Sequence, residues 1–440
     1  MRAGFGAVDI TPDVGVPLGG NVREDNAARG VHDELWASVA IMQDAMRPVA
    51  LVGMDLLGVT APFTAEIAEA IAAQTPIRAE DVIVFATHTH SGPDSTHGSG
   101  RGDADYSSVV DWEQKVVPRI AAEAASAWQR MADVEISVMR GLAPGFAFHR
   151  RMLMPDGTVR MNWSPVPDEA IPAGPVDDEL TVWVFRGTDG GARGLLVHFT
   201  LHPAVLVGHE WLVSADYIAA LTTSLRERFG DVPVLFANGA LGNINHLDAR
   251  TPGRAIGFAE ADRIGQGIAQ AVDTLSATPV EDAALRVERH TIEVSQRTVS
   301  RERAAWARRV LRMNAGAAVD VLDGVPEVAY AAWTLNQGKT LAPILDVPVA
   351  SLDLGETTLV FLPFEVFVEF GLGIRDAVDG RIVRVVSLAH DYLGYLPTAR
   401  AFEQGGYEPT FGTSRVEAGA GEELFARLAD RLREREELSA

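Results

Sequence analysis

Val82-Ile83-Val84-Phe85-Ala86-Thr87-His88-Thr89-His90-Ser91-Gly92-Pro93 is a short apolar run that ends in two histidines and a Gly-Pro stop. Five apolar residues bounded by turn formers read as a strand buried on both faces. The same ending recurs along the chain. Leu195–Thr200 runs into His202-Pro203, Val232–Ala237 into Asn238 through Asn245-His246, Thr358–Leu362 into Pro363-Phe364-Glu365, and Ile382–Leu388 into His390-Asp391-Tyr392-Leu393-Gly394-Tyr395. Val49–Leu56 is a further apolar run. Amphipathic stretches at Thr64–Ala73, Trp112–Met131, Tyr217–Phe229, Glu260–Ser276, Phe367–Val378 and Glu422–Leu438 predict helices between and after them. The pattern predicts an α/β fold, a mixed β-sheet core covered by helices, as a single domain over residues 1–440. A helical insertion is expected at about 300–345, and 94–110 reads as a Ser/Gly/Asp-rich surface loop.

Composition narrows the chemistry. The 440 residues are 47% hydrophobic and 22% charged, ordinary globular values, and contain no cysteine. Disulfides, thiolate ligands and a cysteine nucleophile are therefore excluded, and any metal must sit on nitrogen or oxygen. With 38 basic against 60 acidic side chains the formal charge is −22, which disfavours nucleic acid and anionic membrane as partners. The N-terminus lacks a basic region followed by an apolar stretch, and no apolar run is long enough to span a bilayer. A cytoplasmic protein acting on a small-molecule substrate is expected, in an oligomeric state the sequence leaves undefined.

In open α/β sheets, ligands sit beyond the strand carboxyl ends. Five strands here each deliver metal-competent or polar side chains to that edge, so a metal site is expected there. On an extended strand His88 and His90 would face one side, with Cα atoms roughly 6.5–7 Å apart. They read either as two ligands or as one ligand with a neighbouring base. His202 before Pro203 is similarly placed.

These segments resemble the catalytic domain of the neutral ceramidase family. The likeness rests on Ala7-Val8-Asp9-Ile10-Thr11-Pro12, Arg29-Gly30-Val31-His32-Asp33, Thr87 through Pro93, His202-Pro203, Gly242-Asn243-Ile244-Asn245, Pro363-Phe364-Glu365, Tyr392 with Tyr395, and Gly406-Tyr407-Glu408. It runs in order along essentially the whole chain. The resemblance implies one zinc per chain, held by His88, His202, Glu365 and Tyr395. It makes His90 a proton-transfer partner and Arg150, in His149-Arg150-Arg151, a substrate contact.

Two departures stand out. Family ceramidases carry Gly-Asp-Val-Ser where this chain has Gly242-Asn243-Ile244-Asn245, and an amide in place of a serine hydroxyl is no nucleophile, though it can hydrogen-bond substrate. They also continue into an immunoglobulin-like domain, whereas this chain stops soon after the tyrosine motif. The expectation is a zinc-dependent hydrolase using activated water on an amide-type bond of something smaller and more polar than ceramide. The same site acting on an ester, lactone or glycosidic bond is the alternative, and a non-catalytic ligand-binding protein is the second.

Asn245, His246 and Asp216 complete the candidate substrate contacts. Asp216 precedes a helix, so an N-cap is its simpler role. Asp33 and Asp55 are candidates for orienting the ligand histidines, as carboxylates often do. Glu369, one helical turn beyond Glu365, is the rival ligand.

Overall fold

The computed structural model describes the chain except for residues 23–24, 45–46, 99–104, 207–210, 252–254, 282–283, 314–320, 323–324, 339–341, 379 and 438–440. The expected strands and helices are present with small shifts at their ends. Val82–Ala86 and Tyr217–Phe229 form with the predicted bounds. Part of the 94–110 loop and of the helical insertion lies outside the described residues.

The mixed sheet is large. Its order is Val234–Asn238, Ala192–Phe199, Glu179–Gly187, Ala132–Leu142, Arg2–Asp9, Trp36–Gln43, Pro48–Met54, Val82–Ala86, with Ala277–Pro279 also pairing Ala132–Leu142. Only the outermost pair at each end is parallel. Each parallel pair is joined through a crossover helix, Ala61–Gln74 on one side and Tyr217–Phe229 on the other.

A second sheet was not anticipated. Leu285–Ser295, Ile344–Leu354, Thr357–Phe361 and Ile382–Val386 form four strands, the last pair parallel across helix Val368–Ile374. The two sheets stack face to face. Phe5, Met42, Leu51, Phe85, Trp183 and Leu235 of the first meet Val287, Leu352, Leu359 and Phe361 of the second. Each sheet turns its other face to helices. Val39, Ile41, Val52 and Val84 pack under Phe63, Ile67, Trp112 and Ile120. Val349, Val360 and Val385 pack under Phe370, Leu424 and Leu428. The result is a helix–sheet–sheet–helix stack in which strands such as Pro48–Met54 and Val82–Ala86 are covered on both sides, which is why their sequences are apolar at nearly every position.

The first sheet brings its two edges together. The Asn238 amide, at the end of one edge strand, donates to the Thr87 carbonyl just past the other, 3.0 Å away. Ser387 then donates its N–H to the Asn238 carbonyl and His390 to that of Val84, so the chain leaving the second sheet spans both edges. Helices Arg301–Met313 and Glu327–Gln337 form the insertion and share a small core of their own around Ala307, Val310, Val328 and Ala331. Among the described residues no helix is long and apolar enough to cross a membrane.

Candidate metal centre

Three parallel strand pairs feed one point. His88 follows Val82–Ala86, His202 follows Ala192–Phe199, Glu365 follows Thr357–Phe361, and Tyr395 lies beyond Ile382–Val386. Glu365–Val366 pairs in parallel with Tyr395–Leu396, setting Glu365 and Tyr395 side by side.

The Nε2 atoms of His88 and His202 lie 3.0 Å apart, and Glu365 Oε2 is 3.3 Å from each. All three side chains are buried. His88 Nδ1 donates to the Leu57 carbonyl at 2.5 Å and His202 Nδ1 to that of Leu241 at 3.1 Å. Each Nδ1 is thus the protonated nitrogen, and each Nε2 turns a lone pair toward the other and toward a carboxylate oxygen that no donor satisfies. Three electron-rich atoms facing one another in a dry site repel unless a cation sits among them. Their spacing suits one, since neighbouring donors around a tetrahedral zinc with ~2.0–2.1 Å bonds lie roughly 3.4 Å apart. The residues therefore fit a divalent metal.

His90 brings a third imidazole. Its Nε2 is 3.4 Å from His88 Nε2, and His88, His90 and His202 form a group that can hold a metal ion. Its ring makes a backbone hydrogen bond to Gly20, and burial, with His88 next, pushes its pKa down to about 3. Burial, then Arg150 and His88, likewise hold His202 well below the usual imidazole range. Burial opposes charge on Glu365, yet His88 and Arg150 keep its carboxyl below the ordinary value. Burial and Glu365 raise Tyr395 well above a normal phenol.

The His88-Thr89-His90 stretch is not the extended strand the spacing suggested. His88 has φ +78, a left-handed turn that a non-glycine residue rarely adopts. The turn arises because Thr87 and His88 donate their N–H groups to Met54 and Leu56 while His90 donates to Pro203. The two rings meet edge-on rather than lying in line.

Arg150 and Asn245 come together through a two-stranded ribbon of Phe148–His149 and Ile244–Asn245. Arg150 Nε donates to Glu408 Oε1 at 2.8 Å, and its guanidinium lies over Trp163, Tyr395 and Tyr407. Its Nη2 is buried without a partner. Asn245 pairs amide to amide with Asn162, at 2.7 and 2.9 Å. His246 lines the same cavity while its Nε2 bonds the Ala255 carbonyl.

Some expectations do not hold. Asp216 does not line the cavity. Its carboxylate caps helix Tyr217–Phe229 and accepts the N–H groups of Tyr217, Val205 and Leu206, which occupies it structurally and removes it from any carboxylate pair with Glu365. Asp33 and Asp55 do not orient the ligand histidines, because backbone carbonyls do. Asp33 binds Ser214 and His32, and Asp55 takes the Trp36 N–H. Glu369 sits apart, accepting from Asn243 at 2.8 Å.

Other residues carried no role in the sequence reading. Tyr392 donates its hydroxyl to Glu365 Oε1 at 2.7 Å. Glu408 anchors both Arg150 and Arg151. The adjacent arginine pair was the available signal, since two buried guanidinium groups require a carboxylate. The centre opens on a cavity of about 630 Å³ that Trp163, Trp333, Tyr407 and Leu393 also line.

Residues 1–230 match the family described as neutral/alkaline non-lysosomal ceramidase, N-terminal. Two solved structures share the fold. A neutral ceramidase from Pseudomonas aeruginosa superposes with a TM-score of 0.72 at 18% identity, over 99% of this chain and 74% of that one. A ceramidase complexed with C2 gives the same TM-score and identity, over 99% and 75%.

Proposed function

The chain belongs to the neutral/alkaline non-lysosomal ceramidase family, whose N-terminal region matches more than half of it, and from that premise we propose a metal-dependent hydrolase that cleaves an amide-type bond in a soluble small or polar substrate. The observation that carries this reading is the triangle of His88 Nε2, His202 Nε2 and Glu365 Oε2, with edges of 3.0 to 3.3 Å.

We assign one zinc per chain to His88, His202 and Glu365, with Tyr395 as the fourth protein ligand. Bound there, zinc would act as a Lewis acid and bring the pKa of water from ~15.7 to about 7. The protein supplies the rest. Leu57 and Leu241 fix the two histidine tautomers, and Tyr392 holds the free oxygen of Glu365. His90 is the proton carrier, because it lies beside His88 but outside the tight triangle, with a neutral ring able to accept at Nε2. It takes the proton from the attacking water and returns it to the leaving nitrogen. Arg150 presents its unpartnered Nη2 to the negative charge that develops on the carbonyl oxygen. The rings of Trp163, Tyr395 and Tyr407 and the ion pair to Glu408 hold it in place. Asn245 and His246 line the substrate side.

Elemental analysis of purified protein should give about one zinc per chain, and His202→Ala should lose metal and amide hydrolysis together. Full activity in metal-free protein would overturn the assignment.

A further inference from the structure

Two arginines line the cavity among the described residues, Arg150 and Arg415. Arg150 is committed to Glu408 and to the aromatic rings around it. Arg415 is not. Its guanidinium makes no hydrogen bond or ion pair among the described residues, whereas the buried Arg151, Arg384 and Arg435 each find a carboxylate. The two carboxylates that line the cavity do not neutralise it. Glu365 is taken by the histidines and Tyr392, and Asp391 accepts the N–H groups of Ala61 and Tyr392.

The position of Arg415 is built rather than incidental. Its carbonyl accepts the Arg297 N–H at 2.8 Å, Ser414 bridges Gly394, and Val416 bridges Gln296. Tyr395 donates its own N–H to Thr413, so Arg415 stands on the segment that braces a proposed ligand. A second polar group is unsatisfied nearby. Gln337 lines the cavity at 8% exposure, its Nε2 directed to the Arg297 carbonyl and its Oε1 without a donor. The wall thus carries a cation unpaired among the described residues, with a buried acceptor that lacks a donor behind it, beside apolar surface from Trp333, Val325 and Pro326.

We propose that Arg415 makes the cavity selective for amides bearing a carboxylate, N-acylated amino acids as a class, with Gln337 accepting an N–H or O–H of the same molecule. This rests on the amide-hydrolase reading. The guanidinium fork matches a carboxylate with two parallel hydrogen bonds, and its counterpart in a neutral analogue leaves that fork unmet.

The test compares N-octanoylglycine with N-octanoylglycinamide, equal in length and differing in charge. On zinc-loaded protein, kcat/KM should favour the acid by roughly 10- to 100-fold, the range of a charge-assisted hydrogen bond. Arg415→Gln should collapse that ratio through KM, and Arg415→Lys should keep part of it. Equal use of both compounds by the wild type, or a ratio unchanged in Arg415→Gln, overturns the proposal. If neither compound is cleaved, the amide-hydrolase reading fails by itself, and calorimetric binding of the same two compounds decides the role of Arg415. Tighter binding of the acid that Arg415→Gln abolishes supports it, and equal affinities reject it.

Discussion

At the scale of single residues, Asn245 shows how a change of side chain alters both packing and chemistry. Its amide is paired with that of Asn162, which also donates to the Leu247 carbonyl at 2.6 Å. Asn245→Ser shortens the side chain and leaves the Asn162 amide buried and under-bonded. Chemical denaturation should show a loss of about 1–3 kcal/mol. The Asn162→Ala/Asn245→Ser double variant should lose less than the sum of the singles, because the two side chains share one interaction. A gain of ceramide hydrolysis in Asn245→Ser would support the reading that this residue diverts the site from ceramide, and no gain would count against it. Histidines and Glu365 were legible in the sequence because polar residues after an apolar strand are conspicuous. The pairings of Asn162 and Glu408 were not, because their partners lie more than 80 positions away. Arg415 was not either, because only the fold brings it to the cavity wall.

At the scale of elements, the site is assembled by strand ends and by the turns that press on them. Gly20 has φ +82, and a Cβ there would meet the His90 ring at 2.5 Å, its three nearest atoms all belonging to His90. Gly20→Ala should therefore displace His90, lowering kcat while zinc content measured by elemental analysis stays near one per chain. Loss of metal in that variant would instead make His90 a ligand. Gly242 serves the other side, since a Cβ there would meet the Glu365 carbonyl oxygen at 2.4 Å. The parallel strands were readable because burial on both faces makes them apolar throughout. Several antiparallel strands escaped. Trp36–Gln43 holds Ala, Met and Gln, which favour helix locally, and only pairing on both sides makes it a strand. Ala132–Leu142 interleaves charged residues with its buried positions, so it offers no continuous apolar run.

At the scale of the whole molecule, the proposed ligands span both sheets and more than 300 residues of sequence, His88 to Tyr395. A metal bound there ties together the two edges of the large sheet and the connection out of the second. Chelation should thus lower thermal stability and not activity alone. With free zinc at a hundred times its dissociation constant the folded state gains about 2.7 kcal/mol, and calorimetry with and without chelator should show the corresponding fall in Tm. An unchanged Tm would argue against a metal shared among these strands.

By itself the sequence determined the alternation of strand and helix, the mixed α/β class, the family, and the residue types able to bind a metal. These follow from local apolar periodicity and from motifs a few residues long. Tertiary structure decided which of those residues meet. The large sheet brings its edges together until Asn238 reaches Thr87, a second sheet covers its open face, and His88 turns out of the strand. Only those long-range contacts place Glu365 between His88 and His202, consign Asp216 to a helix cap, and leave Arg415 at the cavity wall with no counter-charge among the described residues.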